Sequence, residues 1–128
     1  MAVKTKPKGP QMWDPEQYWL KAKVYFARME TARGGSSDAA LFAALSVEYF
    51  ARAALCSLHP ALNADPQEEG AHIMFSLGLA SPRLPKTIPI HAVYGRLQRI
   101  FPQVFTKEHL DHAEYLTKLR NEEMNTAS

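Results

Sequence analysis

A chain of 128 residues falls below the ~150 residues that serve as a one-domain prior, so one compact unit of about 14 Å radius of gyration is expected rather than two packed domains. An apolar share of 46% with 22% charged residues can build a core, which excludes an intrinsically disordered chain. The formal net charge of +2 permits an acidic partner but is too mild to identify nucleic acid by itself.

The chain opens with Lys4, Lys6 and Lys8 among prolines and lacks the apolar stretch of a secretory signal. Residues 1–12 are therefore expected to be a flexible tail, and residues 13–128 one helical domain. The single cysteine, Cys56, has no partner for an intramolecular disulfide and sits in an apolar run, as a buried, inert thiol would. That pattern fits a reducing, cytoplasmic setting.

Five of the nine prolines fall between His59 and His91, and none occurs from Glu16 to His59 or after Pro102. The two clear stretches are where helices belong. Asp14-Pro15-Glu16 supplies an N-cap oxygen, a first-turn proline and an acid at the positive dipole end. Tyr18, Ala22, Tyr25, Phe26 and Met29 then form an apolar stripe at helical spacing, closed by Gly34-Gly35. Asp38, or Ser37 before it, is expected to cap a second helix that ends at Leu58, since His59 precedes a proline. From Ala39 to Leu58 only Ser46, Glu48, Arg52 and Ser57 are polar. Such a helix is central to a bundle or lies in a membrane, and Glu48 with Arg52 in mid-segment argues for the bundle.

From Ala61 to Pro89 the sequence reads mostly as a linker, with a short helix near Ala71–Leu79. Val93, Leu97 and Ile100 mark a third main helix from His91 to Ile100. Thr106, with His109 three residues on and Glu108 in the first turn, opens a fourth carrying Leu110, Ala113, Leu116 and Met124. The expected fold class is all-α: an up-and-down bundle of four main helices plus a short helix in the connection.

Arg120 follows Leu116 by four residues and precedes Met124 by four, so a guanidinium lies on the apolar stripe. It must snorkel outward, pair with a buried acid such as Glu48, or face an interface where an anion is held bidentately. The string Leu116-Thr117-Lys118-Leu119-Arg120-Asn121-Glu122-Glu123-Met124-Asn125 resembles the HEPN family of small helical bundles. Their signature is an arginine, a polar residue, then four to six residues to a histidine on a late helix. Arg120 and Asn121 match it, and Asn125 stands where the histidine would be. The outline from Asp14 to Asn125 agrees, including Glu48 and Arg52 on the second helix.

The resemblance implies a metal-independent RNA endonuclease without a cofactor, a toxin or bacterial defence effector working as a homodimer whose motif helices share one cleft. RNA is the implied substrate, an antitoxin or an additional domain a further partner, and no membrane is involved. In such sites the RNA 2'-hydroxyl attacks its own phosphate, which needs a group titrating near neutrality and a fixed cation. Arg120 is implied to polarise phosphate, Asn121 to shape the site, Glu122 to orient Arg120 from the partner chain, and Lys118 and Glu48 to line the substrate path. The Asn125 carboxamide cannot transfer the proton. Either a toxic nuclease has been inactivated at this position or the natural sequence has become a binding-only form. Position 125 lies three residues from Ser128, which also fits a longer protein continuing beyond it.

Two other classes compete: a non-catalytic module binding RNA, nucleotide or a partner protein, and a purely structural bundle. His109 and His112 share a helical face but lack the ligand pattern of a zinc site. His59, His72 and His91 are expected to do no more than cap helices. Lys118, Arg96, Arg99, Arg83 and Lys86 could frame a basic groove and Tyr94 or Tyr115 could stack on an unpaired base, but ordinary surface charges and core-edge aromatics are the expected reading. Trp13 and Trp19 are expected to close the bundle or to form a dimer contact.

Overall fold

The computed structural model describes residues 13–32, 37–79 and 84–126. The expected tail, the Gly34-Gly35 stop and Arg83 lie outside these residues. The fold is an all-α helical bundle. In chain order the α-helices are α1 (Pro15–Thr31), α2 (Ser37–Leu58), the short α3 (Ala71–Ser76), α4 (Ile90–Ile100) and α5 (Lys107–Thr126).

Helix α1 starts as its sequence dictates: the Asp14 Oδ1 accepts the Glu16 N–H at 3.0 Å, with Pro15 in the first turn. Helix α2 already includes Ser37, the first described residue of its segment, and Asp38 lies in its first turn, where its charge favours the helix dipole. Thr106 opens α5 by accepting the His109 N–H at 3.3 Å, while the His109 Nδ1 lies 2.9 Å from the Val104 carbonyl. Among the described residues no group of three His, Cys, Asp or Glu side chains is placed to hold a metal.

Helix α2 is the hub, packed against α1, α4 and α5. By length and composition alone Asp38–Leu58 is apolar enough to cross a membrane. Against α1 it makes a close seam: Ala22 and Ala44 are buried, and the Ser46 hydroxyl donates to the Ala22 carbonyl at 3.2 Å. Alongside runs a column of stacked rings, Tyr18, Tyr49, Tyr25 and Phe42, with centroids 5.7 to 6.1 Å apart. On its other side Ala51 and Leu55 meet Ile88, Val93, Tyr94 and Leu97 and, from α5, Ala113 to form the main core. Trp13, Cys56 and Ala64 form a second, smaller core. Burial pushes the Cys56 thiol up to about 12.

The sequence stripes hold with local exceptions. Phe26 on α1 and Met124 on α5 are exposed, and Trp19 is half-exposed, edge-on to Phe50, while Trp13 alone is buried.

The connection is not the linker its prolines suggested. Asn63, Ala64, His72 and Ile88 are all buried. The Ile88 N–H donates to the Asn63 carbonyl at 2.9 Å and the Asp65 N–H to that of Lys86 at 3.0 Å, so a two-strand-like clasp draws Ile88 into the core. Helix α3 ends at Ser76 rather than Leu79, closed by Gly78 at φ +77°.

His72 does more than cap. Its Nδ1 accepts the Lys86 N–H at 3.0 Å, which places the ring hydrogen on Nε2, 2.9 Å from the Glu68 carboxylate. Glu68 sits at φ +58° and Glu69 at φ +59°, left-handed conformations that side chains disfavour. His72 and then Lys86 hold the Glu68 carboxyl below the ordinary glutamate range. A depressed folded-state value stabilises the fold above the unfolded value, and the contribution disappears as pH falls through the folded one. Denaturant midpoints measured from about pH 6 down to about pH 3 are therefore expected to fall more steeply for the wild type than for Glu68→Gln. Parallel slopes would contradict the assignment.

Candidate functional site

The charged residues of α2 and α5 meet where the two helices pack. Glu48 and Arg52, one turn apart on α2, form an ion pair at 3.3 Å. From α5 the Arg120 Nη1 donates to the other Glu48 oxygen at 2.6 Å. The three side chains are between 8% and 18% exposed, so little water screens them. The network continues inward: the Arg52 Nη1 donates to the Asn63 Oδ1 at 2.7 Å, and the Asn63 Nδ2 donates to the Tyr18 hydroxyl at 3.1 Å. One chain of polar contacts thus joins α5, α2, the connection and α1.

Of the three fates open to Arg120 in the sequence, pairing with Glu48 is the one observed within the chain. The pairing is incomplete. The Arg120 Nε is buried with no hydrogen-bond partner among the described residues, and its Nη2 makes only a 3.5 Å contact to the Asn121 Oδ1. Two guanidinium groups against one carboxylate leave one positive charge in excess.

Beside this triad residues of α4 and α5 line a cleft of about 350 Å³. Its floor is Ile90, Tyr94 and Thr117; His91, Glu114, Lys118, Asn121 and Glu122 line the rest. Burial, followed by the Glu48 carboxylate, pushes the Tyr94 hydroxyl up to about 12. Tyr94 therefore stands between the triad and the cleft, and at 1% exposure it offers no free ring face for stacking. Tyr115 is exposed.

The structure divides the sequence-predicted site residues. Arg120 and Glu48 lie in the triad, whereas Lys118, Asn121 and Glu122 line the cleft. Asn125 lies on the last turn of α5, and its side chain falls outside the described residues. Two of the residues that could frame a basic groove are engaged within the chain. Arg96 donates to the Leu62 carbonyl at 2.6 Å, and Lys86 pairs with Glu68. His91 and Glu114 were not singled out as site residues. The spacing of Glu114, Lys118 and Asn121 already placed them on one face of α5, but only packing brings His91 opposite.

Comparison of this chain with family models, with curated proteins and with solved structures finds no match. The molecule is defined by its own geometry: a helical bundle with a buried, net-positive triad next to a small polar-rimmed cleft.

Proposed function

We propose that this chain is a HEPN-type helical domain that acts on RNA, in which two copies form the working unit and Asn125 occupies the proton-transfer position of a metal-independent endonuclease. The observation that carries this reading is the state of Arg120. Glu48 already has Arg52 as its partner, so the triad would be neutral without Arg120. A second guanidinium held in low dielectric with a buried, unpartnered Nε is costly for stability alone, and it suits a group reserved for a phosphate oxygen. Lys118, two residues before Arg120 on α5 and in the lining of the neighbouring cleft, adds a second cation, and Asn121 a hydrogen-bonding amide. Glu122 is assigned the orienting role across the dimer. With no group titrating near neutrality at position 125, the sequence as it stands binds RNA without cutting it.

The test is the salt dependence of single-stranded RNA binding. Lys118→Ala is expected to flatten the log–log salt slope by about 0.7, one phosphate contact, and Arg120→Met to weaken binding while leaving the Glu48–Arg52 pair intact. Wild-type affinity in both variants, or no RNA binding by the wild type, would overturn the reading. Asn125 itself favours a second reading, a non-catalytic module for RNA, nucleotide or a partner protein, which predicts that restoring a histidine there yields no cleavage.

A further inference from the structure

The cleft between α4 and α5 shares Lys118, Asn121 and Glu122 with the site proposed above, whereas His91, Glu114 and Ile90 in its lining have no role there. At about 350 Å³ it lies near the lower end of small-ligand sites, which run from about 300 to 1,000 Å³, and has room for one ring system and little more. Ile90, partly exposed, gives it an apolar patch, while Tyr94 behind it is buried. The rim is mixed: a carboxylate (Glu114), an ammonium (Lys118), an amide (Asn121) and an imidazole (His91). Among the described residues the side chains of Glu114 and Lys118 make no hydrogen bond or ion pair, although they are one helical turn apart on α5.

We propose that this cleft binds a nucleobase, and that the base is guanine; the proposal rests on the RNA reading above and names the base that reading would prefer. Guanine presents N1–H and an N2 amino group side by side, and a carboxylate accepts both at once. On its other edge O6 and N7 accept from a lysine. Glu114 and Lys118 offer this complementary pair one helical turn apart. Uracil, with one N–H, and adenine, with one amino group, each engage a single carboxylate oxygen where guanine engages both. The Asn121 amide supplies a further donor toward O6, and the His91 ring at the rim is of the type that stacks on splayed-out bases.

The test titrates the full chain with guanosine, inosine, adenosine and uridine monophosphates, followed by calorimetry or amide shifts. Guanosine monophosphate is expected to bind at least about fivefold more tightly than the others, inosine monophosphate losing affinity with its 2-amino group. Glu114→Gln, an exposed substitution, is expected to abolish the preference, whereas Glu108→Gln in the first turn of α5 leaves it unchanged. Equal affinity for all four nucleotides, no binding at millimolar concentration, or an unaltered preference in Glu114→Gln would overturn the proposal. RNA binding without a guanine preference sinks the pocket and leaves the RNA reading standing. A guanine preference without RNA binding supports the pocket and sinks that reading.

Discussion

Glu48→Gln is expected to destabilise the fold by about 3 kcal/mol or more, the range for breaking a buried ion pair by removing one partner. The substitution keeps the size of the side chain and removes its charge, which leaves Arg52 and Arg120 as two poorly hydrated cations side by side. Arg120→Met changes the same contact from the other end and is expected to cost only about 1 kcal/mol, because Glu48 and Arg52 remain a balanced pair and the orphaned Nε disappears with the guanidinium. Urea denaturation of the two variants and their double mutant measures this asymmetry. Equal costs would mean that Arg120 is needed for folding as much as Glu48 is, and would remove the argument that it is held for an anion.

Leu55→Ala is expected to lose about 2–5 kcal/mol. Leu55 is fully buried on α2 among Ala51, Val93, Tyr94 and Leu97, where small α2 neighbours face larger α4 side chains. Helices that meet over alanines cannot collapse much further, so most of the vacated volume persists as a cavity. Domains of this size have about 5–15 kcal/mol in total, so the variant sits near the edge of folding. Leu58→Ala, one turn later on the same helix but half-exposed, is expected to fall within about 0.5 kcal/mol of the wild type. Denaturant midpoints at constant slope separate the two; similar losses would place the core elsewhere.

Where the sequence was legible, local chemistry and tertiary packing agreed. Asp14-Pro15 and Thr106 open helices because capping is a contact between near neighbours, and the apolar continuity of Ala39–Leu58 announced the helix that packs on three others. The connection was misread because proline density signals irregular backbone but not exposure. The burial of Ile88 and His72 depends on hydrogen bonds between segments more than ten residues apart, such as Lys86 to His72 and Ile88 to Asn63. The site was half legible. Arg120 on an apolar stripe and Glu48 in an apolar helix each required a partner, and they are each other's. Nothing local distinguishes His91 from any other exposed histidine. Its place with Glu114 and Lys118 in one cleft follows from the packing of α4 on α5, which a one-dimensional pattern does not encode.

The chemistry assigned to α5 is tested most directly by restoring a titratable group at position 125. Asn125→His is incubated with single-stranded RNA in the presence of chelator, alongside the wild type and the double variant Asn125→His with Arg120→Met. Fragments ending in a 2',3'-cyclic phosphate are expected from Asn125→His alone, with a rate that rises as pH passes through the imidazole range near 6.5. Intact RNA from a folded Asn125→His protein, or cleavage that survives the loss of Arg120, would contradict the account.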